Sequence, residues 1–336
     1  MADRGDNNFM RYVYRGEEGE IIPREATHIT VHEDCTIVRV HAFFRHRNIV
    51  EVICHENVKR IVEEAFYECP SLKRVIMPGV EVVERGAFME CEALEHVECG
   101  KLEIIGYWAF GNCGSLENIN LPSARIVGES AFGNSALTYV KFGSKLEKLK
   151  ETVFWACTSL ERITLPLKDG MFAYDDAFIE CESLHQVDLV EGEVHETIAA
   201  FQLEEWRNEM YEEINSINQT LPDAYAGYDE RDGEYDENNN YDNGEKARTT
   251  RTWIRSVLQK IVHYKAEHRR VLSEAATLLE LAIWKANLND TDGSRIVREG
   301  VRTTRGSVKR ARREVCVTSG ASIVIKNVLP FLELKS

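Results

Sequence analysis

Proline is scarce in this chain, seven residues in 336, and no apolar run approaches the ~18 residues that a membrane span requires. So few prolines exclude a collagen-like composition, and 43% hydrophobic residues exclude a wholly disordered chain. The opening segment, MADRGDNNFMRYVYRGEEGE, is too charged for a secretion signal. Nine cysteines, an odd number without such a signal, read as free thiols in a reducing compartment, so the expected location is the cytoplasm. Catalytic signatures are missing too. There is no C-x-x-C, H-E-x-x-H, glycine-rich phosphate loop or nucleophile elbow, and no third ligand at metal spacing from His28 and His32. The expectation is a chain with no enzymatic activity, cofactor or metal.

A repeat stands out from this background. Ala-Phe pairs occur at Ala42-Phe43, Ala65-Phe66, Ala87-Phe88, Ala109-Phe110, Ala131-Phe132, Ala177-Phe178 and Ala200-Phe201, with Val153-Phe154 filling the gap, so successive phenylalanines lie 22 to 24 residues apart. Three residues after the phenylalanine stands Cys69, Cys91, Cys113, Cys157 or Cys181, with Ser135 as the polar exception. A segment of the form L-x-x-V-x-L follows, as in Leu72-Val75-Met77 and Leu116-Ile119-Leu121, and Pro78, Pro122 and Pro166 mark the turn after it. One such unit has a single apolar face and closes a core only by stacking on its neighbours. The fold class expected is an α/β repeat solenoid of short strands with helical turns, carrying an α-helical C-terminal arm. Stacked rungs would form a ladder of cysteines, read as buried thiols acting as small hydrophobes rather than as disulfides.

The unit A-F-x-x-C-x-S-L-x-x-V-x-L-P, written here as AFYECPSLKRVIMP and AFGNCGSLENINLP, resembles the BspA-like subclass of leucine-rich repeats. The resemblance runs from about residue 27 to residue 200. It implies an interaction scaffold without catalytic activity. The flanking segments VYRGEEGEIIPREATHITV, TLLELAIWKANL and IVIKNVLPFLEL resemble those of an intracellular algal form of these proteins.

The organisation expected is a cap hairpin over 1–26, a solenoid of about eight repeats over 27–202, and a capping amphipathic helix over 203–221. An acidic segment over 222–245, too polar to repay its ordering by burial, reads as a disordered loop. A basic arm and tail over 246–336 completes the chain, beginning with a helix of ~40 residues able to pair with a partner or with itself.

Charge divides along the same lines. Residues 1–245 hold 22 basic and 48 acidic side chains, whereas 246–313 hold 17 basic and six acidic. The basic block either neutralises its own chain or meets an acidic partner. Arg298, Arg302, Arg305, Lys309, Arg312 and Arg313 form a stripe that could follow phosphates, which gives an alternative function as a nucleic-acid or anionic-membrane binding module. Lys309 to Arg313 also fits a nuclear-import signal.

The main expectation is a protein-protein scaffold that binds a protein partner through the strand face or the arm. Strand positions between the inward residues would line that face in rows: Arg74 and Ile76, His96 and Glu98, Asn118 and Asn120, Tyr139 and Lys141, Arg162 and Thr164, Gln186 and Asp188. Their identities change from rung to rung, which suits a protein surface better than a repeating polymer.

Overall fold

The computed structural model describes residues 9–190, 193–201, 203–221 and 244–296, the side chains of 193–195 and 286–296 excepted. Nine strands succeed one another along one face of a solenoid: Arg11–Tyr14, His28–Val31, Glu51–Ile53, Arg74–Ile76, His96–Glu98, Asn118–Leu121, Tyr139–Phe142, Arg162–Leu165 and Gln186–Leu189. The first five form one parallel sheet and the last four another. On a second face, six two-residue strands from Ile37–Val38 to Lys148–Leu149 make one continuous parallel sheet. In eight of these nine strands an inward residue is β-branched, namely Ile29, Val52, Val75, Val97, Ile119, Val140, Ile163 and Val187, and all are buried; the first strand buries Tyr14 instead. Such side chains are stiff and fill a pleated surface well, which explains why three or four residues suffice for a strand here.

The N-terminal cap is not the hairpin that the sequence suggested. Arg11–Tyr14 runs parallel to His28–Val31, in the register Arg11↔His28. The intervening residues 15–27 form a long return, whereas a hairpin is closed by about two to five residues. The segment is therefore a further, degenerate rung.

The Ala-Phe segments are tight turns, and no helix occurs within residues 9–190. Phe43, Phe66, Phe88, Phe110, Phe132, Phe154 and Phe178 stack face to face, with centroids 4.7 to 5.8 Å apart and planes within 18°. From Phe43 to Phe154, each phenylalanine N–H donates to the carbonyl of the residue before the next phenylalanine, for example Phe88 to Ala109 and Phe110 to Ala131, both at 2.8 Å. Residues two before and two after the phenylalanine take left-handed φ, among them Glu64 and Glu68, Trp108 and Asn112, and Ser130 and Asn134. That conformation costs an ordinary residue about 1–2 kcal/mol. It is held because it aims the N–H along the stack: Trp108 donates to Glu129 O at 3.1 Å and Asn112 to Gly133 O at 2.9 Å.

The cysteine ladder has a polar task that its reading as a set of small hydrophobes omits. The thiols of Cys69, Cys91, Cys113, Cys157 and Cys181 donate to the carbonyls of Phe43, Phe66, Phe88, Phe132 and Phe154 in the preceding rung, at 3.1 to 3.3 Å. Ser135 instead donates to Phe132 O of its own rung at 2.7 Å. The eight described cysteines are all free. Burial pushes the thiols of Cys54, Cys99 and Cys113 up to about 12, against an ordinary value of 9. A folded pKa raised above the unfolded one means that the native state holds its protons longer. The stability these thiols contribute is therefore fully present below pH 9 and lost as pH rises toward 12. Denaturant midpoints should be flat from neutrality to pH 9 as far as these thiols are concerned, then fall. Cys54→Ser, Cys99→Ser and Cys113→Ser should each shift that fall.

Among the described residues three helices follow: α1 (Glu193–Ala199), α2 (Glu204–Thr220) and α3 (Glu245–Ile296). The last has 52 residues and spans ~78 Å at 1.5 Å per residue, longer than its apolar periodicity indicated. Within the described residues the chain divides into two compact units. One comprises the chain to residue 191 with 214–258, and the other comprises 192–213 with residues from 259 onward.

In the first unit the final rung is closed by side chains from both long helices. Lys246, 8% exposed, donates from Nζ to the carbonyls of Cys181, Glu182 and Leu184 at 2.7, 2.9 and 2.9 Å. The Asn218 side-chain oxygen accepts from Val187 N–H at 3.0 Å. In the second unit Ala200-Phe201 is no eighth rung, because the chain is helical up to Ala199 and Phe201 lies against Trp206 and Tyr264.

Candidate functional site

The strand face presents two rows of outward side chains in ladder register. Arg74 pairs with His96, Asn118 with Tyr139 and Arg162 with Gln186, while Ile76 pairs with Glu98 and Asn120 with Lys141. Ladder geometry puts neighbours ~4.8 Å apart across rungs and ~6.7 Å apart along a strand. Eleven of the twelve residues assigned to this face are exposed or half-buried, and two need comment. Tyr139 is half-buried, and Thr164, expected in solvent, is buried at 5% exposure. The cause is one contact: the Tyr139 hydroxyl lies 3.1 Å from Thr164 Oγ1 and covers it.

The two ends of the face are satisfied by their own neighbours. Arg74 reaches Glu51 at 3.6 Å in one direction. At the far end Arg162 pairs with Asp188 and lies over the Tyr139 ring at 5.5 Å, while Gln186 donates to Asp188 at 3.2 Å. Between them stand His96, Glu98, Asn118, Asn120 and Lys141, all exposed, and among the described residues their side chains have no hydrogen-bonding or ionic partner. Ile76 borders them, half-buried. The same centre is where the face changes sheet, since no ladder joins His96–Glu98 to Asn118–Leu121. Asn120→Ala should leave the unfolding free energy within ~0.5 kcal/mol, because the side chain is exposed and makes no hydrogen bond among the described residues. Chemical denaturation of that variant checks the placement.

Sequence reading missed a second feature, on the turns, where the side chains are half-buried except for the exposed Phe44. The position after each phenylalanine carries Phe44, Tyr67, Met89, Gly111, Gly133, Trp155 and Ile179. At the two glycines the Trp108 indole fills the gap: a Cβ on Gly111 would lie 2.2 Å from its ring, and one on Gly133 would lie 3.4 Å away. Trp155 meets that indole edge-on at 5.9 Å. The signal was present in the repeat, as paired glycines at a position otherwise filled by large apolar residues.

The described part of the arm neutralises acids of its own chain. Arg251 and Arg248 pair with Asp175 at 2.8 and 3.9 Å, and Arg255 pairs with Asp169 at 2.9 Å. In the second unit Lys260 holds Glu213 at 2.9 Å and Glu209 at 3.4 Å. Glu205, Trp206, Glu209, Gln259, Lys260, His263 and Tyr264 line a shallow groove there. Three of its lining residues, Glu209, Lys260 and Tyr264, are already paired with one another. The hydrogen bond from the Tyr264 hydroxyl, with Lys260 beside it, holds the Glu209 carboxyl below its usual range. Among the described residues no three metal-ligating side chains converge, and no helix is long and apolar enough to cross a membrane. Arg298, Arg302, Arg305, Lys309, Arg312 and Arg313, the anionic-partner candidates, lie outside the described residues.

A known repeat family accounts for the rungs. The sequence matches the BspA type leucine rich repeat region in six copies, over residues 24–125 and 81–202. No curated protein matches it. Among solved structures, a leucine-rich repeat protein of T. pallidum is 24% identical, covers 53% of this chain and 78% of its own, and has a TM-score of 0.43. One from Bacteroides ovatus is 18% identical, with coverages of 49% and 69% and a TM-score of 0.20. With more than half its length matched and the repeat visible as stacked rungs, the chain belongs to the BspA-type leucine-rich-repeat family.

Proposed function

We propose that this protein is a non-catalytic scaffold that binds a partner protein through the centre of its strand face. Leucine-rich-repeat solenoids generally act as protein-interaction scaffolds, because stacked rungs give a long, rigid surface whose outward residues vary without cost to the core. The observation that carries the narrower reading is the contrast along the face. Its ends are knitted by Glu51–Arg74 and Arg162–Asp188, whereas His96, Glu98, Asn118, Asn120 and Lys141 have their hydrogen-bonding capacity unspent. These five, with Ile76, mix a donor, acceptors, both charges and an apolar edge on neighbouring rungs. A partner that supplies the missing bonds gains most there, since such groups are satisfied by water in the free chain.

The test uses the full chain, because a version ending before α3 would lose Lys246 and the closure of the last rung. Immobilised wild type and the variant carrying H96A, E98A, N120A and K141A are exposed to native extract, and bound proteins are identified. Proteins retained by wild type and lost from a normally folded variant support the proposal. Proteins retained equally by both place the function elsewhere. Loss on nuclease treatment would favour the nucleic-acid alternative.

A further inference from the structure

The solenoid's two ends are finished in different ways. At the last rung Asn218 takes up the Val187 N–H, and Lys246 takes up three carbonyls. The first rung has no such cover among the described residues. There Arg11–Tyr14 pairs only with His28–Val31 and forms the outer edge of the five-stranded sheet. Met10 and Tyr14 carbonyls accept from His28 and His32 at 3.2 and 2.8 Å. In a parallel ladder alternate residues bond to the neighbour, so Met10, Tyr12 and Tyr14 face inward to the sheet. Arg11 and Val13 therefore turn their N–H and C=O groups outward.

Exposed apolar side chains stand on that strand and just before it. Phe9 is 57% exposed, Met10 38% and Val13 46%. Natural edges are usually blunted by shortness, charged side chains, proline, a bulge or a covering element. The strand RYVY is short and carries one charge, Arg11, but it has no proline, and its four residues pair with His28–Val31 without a bulge.

We propose that this edge joins a second copy of the same chain, with the two Arg11–Tyr14 strands antiparallel about a two-fold axis at Tyr12. The register places Arg11 opposite Val13 of the second copy, Tyr12 opposite its Tyr12 and Val13 opposite its Arg11. In an antiparallel pair every second opposing pair exchanges both hydrogen bonds; here the two Arg11–Val13 pairs do and Tyr12–Tyr12 does not, so four bonds satisfy the outward groups of Arg11 and Val13 on both strands. It also keeps like charges apart, because each arginine meets a neutral residue: Arg11 faces Val13 and Arg15 faces Phe9. The two-fold arrangement closes on itself, whereas parallel addition of a copy would leave another edge open. The outcome is one sheet continuous across the two copies, with the exposed apolar residues gathered at the join.

Sedimentation velocity of the full chain over a hundredfold concentration range tests this. Expected is a species of twice the 38.5 kDa chain mass at the upper end, dissociating on dilution. Val13→Pro removes an outward N–H while leaving the ladder to His28–Val31 intact, so it should raise the dissociation constant at least tenfold. Hydrogen exchange on wild type gives a second readout that needs no variant: the Arg11 and Val13 amides should become protected as concentration rises. A monomer at every concentration overturns the proposal, as does a dimer with those amides unprotected. A dimer indifferent to Val13→Pro but broken by Leu281→Asp or Trp284→Asp, two exposed residues of α3, also overturns it and moves the contact to the helix.

Discussion

Phe110→Ala is expected to lower the unfolding free energy by about 3–5 kcal/mol, the range for truncating a buried aromatic. Phe110 is fully buried at the middle of the aromatic column, 5.2 Å from Phe88 and 5.5 Å from Phe132. The loss includes the ring's own transfer from water, the cavity left behind, and two stacking contacts worth about 0.5–1.5 kcal/mol each beyond burial. Stability in a solenoid is close to a sum of rung and nearest-neighbour terms, so one substitution weakens two junctions at once. Equilibrium denaturation followed by circular dichroism measures the effect. A loss below about 1 kcal/mol would mean that the column is not the spine of the fold.

Lys246→Met is expected to cost about 2–4 kcal/mol although it alters no rung. The ammonium makes three charge-assisted bonds of 2.7 to 2.9 Å to the carbonyls of Cys181, Glu182 and Leu184. Methionine keeps most of the stem volume and removes all three. Carbonyls left without partners under a helix carry their desolvation cost, and water entering the site recovers part of it. Lys246→Arg is the informative companion, since it keeps charge and donors but changes their geometry, and it should fall between wild type and Met. If Lys246→Met matches wild type, the carbonyls are served by solvent and the last rung needs no cap.

The solenoid was legible because its information is repeated. Phe, Ala, Cys and the β-branched strand residue recur at fixed offsets, so an error at one rung is corrected by the next. Where a feature occurs once, the sequence misled or stayed silent. Ala200-Phe201 copies the motif yet follows the helical segment α1, where the 3.6-residue pattern overrides it. Arg11–Tyr14 lacks the motif yet is a rung. Thr164 sits at an outward offset but lies under Tyr139, a cross-rung contact that depends on a single tyrosine. Lys246 reads as one base among many, and its three carbonyls lie more than 60 residues away.

The candidate site was legible in outline for the same reason. Period two along each strand identified which side chains point outward, and the rungs aligned them in rows. What sequence could not rank was their availability. That depends on which neighbours already pair, as Arg162 does with Asp188, and so on cross-rung register. The glycines under Trp108 belong with this group, because their meaning emerges only when an indole from one rung is seen lying across two.

The most direct test of the account is hydrogen exchange on the full chain with a captured protein partner, compared with the free chain. New protection should be confined to His96–Glu98, Asn118–Leu121 and Tyr139–Phe142, where the unspent side chains and the lapse in the ladder coincide. Protection at the turns around Trp108 and Trp155, or along α3, with those three strands unchanged, would contradict it.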